Sequence, residues 1–196
     1  GGRRIIKKKT TILAALARGI NVISGLHEFL SDDAEFSAAA TGSGARLIDV
    51  RQNDEHDVAD CKPLNNDCVR LHTVGQDCSL GKMLVAVELT RALQQVGRST
   101  KFIATGQTGI MVEGDGVPID CVVSDFLSGA IEKQIVAHQD REFLVVEGQG
   151  SIAHPRYSAV TLGLLHGCRP HGMILCYEVG RTEVHGMPGF PLVPLD

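Results

Sequence analysis

Residues 75–82 read Gly75-Gln76-Asp77-Cys78-Ser79-Leu80-Gly81-Lys82, a glycine-bounded run that closes on a lysine. An apolar stretch over 69–74 precedes it and an amphipathic stretch follows from Met83. A strand that feeds such a loop and then a helix aims backbone N–H groups and a helix N-terminus at an anion, and the lysine adds a point charge. The chemistry is phosphate binding. Gly75, Gln76, Asp77, Cys78, Ser79, Leu80, Gly81, Lys82 and Met83 are therefore the candidate cradle for a nucleotide or nucleotide-like phosphate. One position departs from the pattern: Met83 stands where a Ser or Thr hydroxyl ordinarily ligates Mg²⁺.

Two more apolar runs end in glycine-rich turns. Lys101-Phe102-Ile103-Ala104-Thr105 leads into Gly106-Gln107-Thr108-Gly109, and Phe143-Leu144-Val145-Val146 leads into Glu147-Gly148-Gln149-Gly150. Ligands of parallel sheets collect beyond the carboxyl ends of the strands, so three such turns predict one site on one edge. Thr105, Gln107 and Thr108 offer hydroxyl and amide groups suited to a ligand. Glu147 stands where a second acidic motif holds Mg²⁺, or serves as a general base if desolvation raises its pKa. Asp77 reads as a polar contact to substrate or to a metal-bound water, or else as a turn-forming residue. His154, ahead of Pro155, falls within reach of the same cleft or is a local structural histidine. Asp125 reads as a helix cap. His27 and Glu28 read as a loop that could close over the site. No histidine spacing suggests a metal centre, and none is expected.

These groups need a framework to position them. Residues 5–18 have helical spacing stopped by Gly19, and 20–23 form a short apolar run. Asp32-Asp33 can cap a helix over 34–41, closed by Gly42 and Gly44, and 46–50 is strand-like. Residues 51–67 are polar and aperiodic and read as a linker, which sets a boundary near residue 66 between parts 1–66 and 67–196. The helix after the loop should put Ala86, Leu89, Leu93 and Val96 inward and end at Gly97. Strands are expected over 101–105, 119–123, 143–146 and 173–177. Helices are expected with Leu127, Ile131 and Ile135 inward, and again after Pro155. Buried β-branched runs alternating with amphipathic helices predict an α/β fold with a doubly wound, mostly parallel sheet.

Composition narrows the setting. At 196 residues the chain can build one domain, or one and part of another, and 43% hydrophobic with 21% charged residues suits a globular protein. A net charge of −4 without a long basic stripe argues against nucleic acid as partner. The cluster Arg3, Arg4, Lys7, Lys8 and Lys9 reads as a solvated helix end. No apolar run approaches the ~18 residues that span a bilayer, and no signal-peptide core is present, so no membrane partner is expected. Cysteines at 61, 68, 78, 121, 168 and 176 form no C-x-x-C pair, and Cys121 and Cys176 lie in strand-like apolar runs. The expectation is a reduced, cytoplasmic protein. The Gly1-Gly2 start and the Pro194-Leu195-Asp196 end read as fragment boundaries.

Residues 75–83 resemble the phosphate loop of dethiobiotin synthetase and related ATP-dependent enzymes, which also have five residues between the glycines and an early Asp. Glu147-Gly148-Gln149-Gly150 is similar to that family's Val-Glu-Gly-Ala-Gly segment, although those enzymes use Thr where this chain has Met83. A closer resemblance is to a family known as a domain of unknown function, some of whose members are assigned as D-glutamate N-acetyltransferase. The shared segments are Ser24-Gly25-Leu26-His27-Glu28-Phe29-Leu30, the Met83 form of the loop, Ala104-Thr105-Gly106-Gln107-Thr108-Gly109, and Val146-Glu147-Gly148-Gln149-Gly150 with His154-Pro155. The resemblance covers nearly the whole chain. It implies a P-loop NTPase-like domain preceded by the remaining part of a smaller Rossmann-like domain, in a chain shorter than its relatives at both ends.

The resemblance also implies an activity: acetyl-CoA acetylates the amine of D-glutamate or a similar small amino acid, with the loop holding the cofactor phosphates. Glu147, His154 and Asp77 are then the candidate catalytic groups, with Glu147 or His154 as base. Gln107 or Thr108 would be oxyanion donors, and Arg156 or Arg181 would bind substrate carboxylates. The alternative is an ATP- and Mg²⁺-dependent ligase or kinase of the dethiobiotin type, with Lys82 on the β/γ-phosphates and Glu147 holding Mg²⁺, helped by Ser79. A third reading is a non-catalytic nucleotide-binding module. Coenzyme A phosphates can be gripped without Mg²⁺, so Met83 favours the first. A homo-oligomer is expected.

Overall fold

In a computed structural model that describes residues 2–195, and side chains from Lys8 onward, the chain divides into two units, residues 1–53 and 54–196. The first unit holds helix α1 (Gly2–Ala17), strand β1 (Val22–Ser24), helix α2 (Ala34–Ser43) and strand β2 (Leu47–Asp49). The strands pair in parallel, Val22 opposite Leu47 and Ser24 opposite Asp49. Helix α2 starts where Asp33 accepts hydrogen bonds from the N–H groups of Glu35 and Phe36, and it stops at Gly44, whose φ of 74° ends the helix in the left-handed region. Leu16, Leu30, Phe36, Ala40 and Ala45 form the core of this unit. Of the basic cluster, the side chains of Arg3, Arg4 and Lys7 lie outside the described residues. Lys9 is not simply solvated: it pairs with Glu35.

The second unit carries strands β3 (Val69–Gly75), β4 (Thr100–Ile103), β5 (Phe143–Val146) and β6 (Gly172–Cys176), in the spatial order β4-β5-β3-β6 with every pairing parallel. Helix α3 (Lys82–Gln95) follows β3, α4 (Gln107–Glu113) follows β4, α5 (Leu127–His138) precedes β5, and α6 (Ser158–Cys168) links β5 to β6. The sheet is wound on both faces, and the alternation of side chains shows it. Val145 joins Phe102 and Ala104 against Ala86 and Val87 of α3. Its neighbours Leu144 and Val146 join Ile103 against Leu127, Ile131 and Ile135 of α5 and Leu164 of α6. Among the described residues, no helix is long and apolar enough to cross a membrane, and all six cysteines are free.

Several expectations change. Residues 119–123 are not a strand but two short 3-10 turns, Ile119–Cys121 and Ser124–Phe126. Ile119 and Val122 are buried while Val123 is 61% exposed, so the apolar residues face the core at a spacing of three rather than two. Residues 107–109, read as part of a glycine turn, begin helix α4 (Gln107–Glu113). Val96 ends α3 on the outside, 74% exposed. Asp125 caps nothing, since α5 has no side-chain cap. The segment read as a linker is fixed over part of its length. The N–H groups of Asp60 (2.7 Å), Cys61 (3.2 Å) and Lys62 (2.8 Å) donate to the Glu132 carboxylate on α5, so 54–66 belong with the second unit.

Candidate functional site

Strand β3 ends at Gly75, where the chain must turn back tightly over its own lysine. A Cβ at this position would lie 2.6 Å from the Asp77 carbonyl oxygen and 2.7 Å from Lys82 Nζ, so only glycine fits. Beyond Asp77 the sign of φ alternates: Ser79 is at +56° and Gly81 at +80°, while Cys78, Leu80 and Lys82 stay negative. Alternation of this kind turns successive peptide N–H groups to one side and makes an anion-binding concavity. Among the described residues, the N–H groups of Ser79, Leu80 and Gly81 have no acceptor. Lys82, at the first position of α3, is 7% exposed, and its ammonium donates to the Asp77 carbonyl (2.9 Å). Burial holds its pKa below the ordinary lysine value. The loop is a preorganised cradle, and among the described residues its buried cation forms no ion pair with a carboxylate, its ammonium donating instead to a carbonyl. Met83 next to it is half-buried and packs against the cluster of Ala86, Val87, Phe102, Ala104 and Val145.

Asp77 faces away from the cradle. It is fully buried, and its carboxylate accepts from the N–H groups of Cys78 (2.6 Å) and His185 (2.7 Å) and from the Arg181 guanidinium (3.2 Å). Burial acts to raise its pKa, but these donors outweigh it and hold the carboxyl below its usual value. Arg181 and His185 belong to the segment after β6, which lies against the loop as a strap. Gln76 is held from three sides: its side-chain amide donates to the Val193 carbonyl (2.8 Å), its N–H to the Cys176 carbonyl (3.1 Å), and its own carbonyl accepts from Ser151 Oγ (3.0 Å).

His154 shares this network. The Arg156 N–H donates to Nδ1 (3.1 Å), which leaves the ring proton on Nε2, facing the His185 carbonyl (3.3 Å) and 3.8 Å from Asp77 Oδ1. Both nitrogens are thus committed to the backbone, the arrangement of a structural histidine. The same tautomer bears on the cluster of Asp77, Cys78 and His154, whose ligand atoms lie within 4.8 Å of one another. Nδ1 of His154 accepts from the Arg156 N–H, and burial pushes the Cys78 thiol up.

Glu147, 3% exposed at the end of β5, lies on another side of the loop. Its Oε2 accepts from the N–H groups of Thr105 (2.8 Å) and Gly106 (3.0 Å). Burial nevertheless raises its pKa. Gly148 ties this turn to β3 by donating to Thr73 Oγ1 (2.9 Å). Thr105 is buried, its hydroxyl donating to the Glu147 carbonyl (2.8 Å) and accepting from Gln149 Nε2 (3.3 Å). Gln107 is half-buried and Thr108 exposed, both on the first turn of α4. Arg156 is exposed, with a guanidinium contact to the Gly186 carbonyl (3.4 Å). The structure thus groups Asp77 with His154 and Arg181, and Glu147 with Thr105. The His185 N–H carries no sequence signal, because it is a peptide group.

Comparison with known proteins follows the same division. Residues 57–196 match a family described as a domain of unknown function with a P-loop domain, and residues 2–53 match its Rossmann-like N-terminal domain. A protein of Tritonibacter scottomollicae named D-glutamate N-acetyltransferase is 39% identical over all of this chain and 59% of its own length. One of the same name from a Pseudoalteromonas species is 38% identical over 90% of this chain and 53% of its own length. The crystal structure of a DUF1611 family protein from Anabaena variabilis superposes with a TM-score of 0.89 at 37% identity, covering 96% of this chain and 55% of that one. The chain spans a little over half the length of these relatives.

Proposed function

Because the chain belongs to the DUF1611 family, with its Rossmann-like and P-loop parts, we propose that it is part of a cytoplasmic N-acetyltransferase that transfers an acetyl group from acetyl-CoA to the amine of D-glutamate or a similar amino acid. The names of the two relatives support the acetyl transfer and the acceptor. One observation in this chain carries the cofactor assignment. The loop keeps its alternating φ pattern and buried Lys82, while Met83 packs against the core cluster. Such a loop binds phosphate through N–H groups and one cation and lacks the hydroxyl that ordinarily follows the lysine and ligates Mg²⁺, which suits a cofactor held by its phosphates and left intact there.

The acceptor's ammonium must lose a proton before its nitrogen can attack the thioester carbonyl. Of the candidate groups, Glu147 suits this role best. Burial raises its pKa, while both His154 ring nitrogens face backbone groups and three donors hold the Asp77 carboxyl below its usual value. Thr105 and Gly106 fix the Glu147 carboxylate through Oε2. Lys82 and the loop N–H groups bind and orient the cofactor.

Calorimetric titration of the intact protein with acetyl-CoA, and with ATP with and without Mg²⁺, tests the assignment. We expect CoA binding indifferent to Mg²⁺ and weakened about tenfold or more in Lys82→Ala, the loss of a charge-assisted contact. Mg²⁺-dependent ATP binding without CoA binding would overturn it in favour of ATP-dependent ligation or phosphoryl transfer.

A further inference from the structure

Arg181 is held by a buried partner on one side and an exposed one on the other. Its NH1 donates to the Cys78 carbonyl (2.9 Å) and to Asp77 Oδ2 (3.2 Å), one peptide ahead of the N–H series that opens at Ser79. Its NH2 pairs with Glu178. The two ends of this arrangement differ in kind. Asp77 is fully buried and also serves Cys78 and His185, so that edge of the guanidinium is part of the framework. Glu178 is 58% exposed against 18% for Arg181, and Arg181 is its one partner among the described residues. An exposed ion pair three residues apart contributes little, and a phosphate dianion brings more charge and more acceptor oxygens to NH2 than a single carboxylate does.

We propose that Arg181 is a second anion contact of this site, reading a phosphate separate from the one in the cradle, and that Glu178 is a built-in carboxylate competitor which that phosphate displaces. The inference rests on the coenzyme A reading. Coenzyme A carries phosphate in two places, a diphosphate and a 3′-phosphate. The diphosphate occupies the N–H groups of residues 79–81 with Lys82, and the 3′-phosphate takes NH2 of Arg181. Arg181 therefore sets specificity for coenzyme A over its 3′-dephospho form. The Asp77 carboxylate and the His185 N–H, held in turn by the His154 ring on the His185 carbonyl (3.3 Å), keep the guanidinium in place before the ligand arrives.

Titration calorimetry with coenzyme A and 3′-dephospho-coenzyme A on the intact protein, Arg181→Gln and Glu178→Gln tests this. The unmodified protein should favour coenzyme A about tenfold or more, as charge-assisted phosphate contacts do. In Arg181→Gln both ligands should bind at the dephospho level. In Glu178→Gln, coenzyme A should bind about two- to fivefold tighter, the worth of an exposed ion pair, with dephospho-coenzyme A unchanged. Glu178 lies outside the buried network, so this second variant reports even if Arg181→Gln disturbs the loop. Equal affinities for the two ligands in the unmodified protein, or a Glu178→Gln gain shared by both, overturn the inference and leave the coenzyme A reading standing. Failure of both ligands to bind overturns both readings.

Discussion

His72 offers a quantitative test of the fold around the loop. It lies in the middle of β3, fully buried, with Nδ1 facing the Val146 carbonyl (3.3 Å) and Nε2 without a partner among the described residues. Burial lowers its pKa from 6.5 to about 4, with Lys82 nearby adding to the effect. In the unfolded chain the ring protonates at 6.5 and in the folded chain only near 4, so the unfolded state binds more protons between these values. Stability is then complete above about 6.5 and falls as pH drops through the window, by about 2 kcal/mol between pH 7 and 5 and about 3 kcal/mol in all. Glu147, whose raised pKa acts in the opposite sense, is common to any pair of variants compared and cancels. His72→Leu removes the titrating ring and the orphaned nitrogen at similar volume. Urea unfolding of both proteins at pH 7, 6 and 5, followed by circular dichroism, should show His72→Leu gaining about 2 kcal/mol on the unmodified protein as pH falls from 7 to 5. A gap that stays constant over that range would refute the reasoning.

Three further outcomes follow from the site. In Gly109→Ala the new Cβ would stand 2.3 Å from Glu147 Oε2. The variant should lose about 1–3 kcal/mol to overpacking, read as a lower urea midpoint, whereas a stabilised variant would show that the carboxylate is not fixed there. Met83→Thr should cost about 1–2 kcal/mol of packing and make ligand affinity respond to Mg²⁺; an equal Mg²⁺ response in the unmodified protein would sink the account of this position. Asp77→Asn should lose about 1–3 kcal/mol at pH 7, since three donors lose their anionic acceptor. The Asp77 pKa is depressed, so its contribution is full above about 3.8 and fades below. Unfolding curves should therefore converge at acid pH, and a gap that persists there would exclude the charge as its cause.

The parts of this molecule that were legible in the sequence are those where burial or geometry leaves few choices. Strands β3, β4 and β5 lie inside a parallel sheet and must be apolar on both faces, so Leu144, Val145 and Val146 announce themselves. The loop was legible because Gly75 and Gly81 meet a contact and a torsion no other residue takes easily. Residues 119–123 misled because an apolar run says that side chains are buried, not with which period; Ile119 and Val122 reach the core from a 3-10 turn. Helix α4 was hidden by Gly106 and Gly109, whose glycines make room for the Glu147 carboxylate. The polar side chains of 57–65 gave no sign that the N–H groups of Asp60, Cys61 and Lys62 are bound to the Glu132 carboxylate. Arg181 and His185 were out of reach as partners of Asp77 because they lie over a hundred positions away, joined by tertiary packing alone.

The cradle at Ser79, Leu80 and Gly81 has a corollary for engineering. Recognition there is encoded in torsion angles, since the donors are peptide groups common to every residue type. The side chain at 80 is thus a variable layer on that grip, whereas position 79, at φ +56°, favours residues that accept the left-handed region, so a library centred on residue 80 could retune which molecule is admitted while the proposed phosphate anchor stays in place. Directed evolution of this scaffold would do well to hold Gly75, Gly81 and Lys82 fixed and to diversify Leu80.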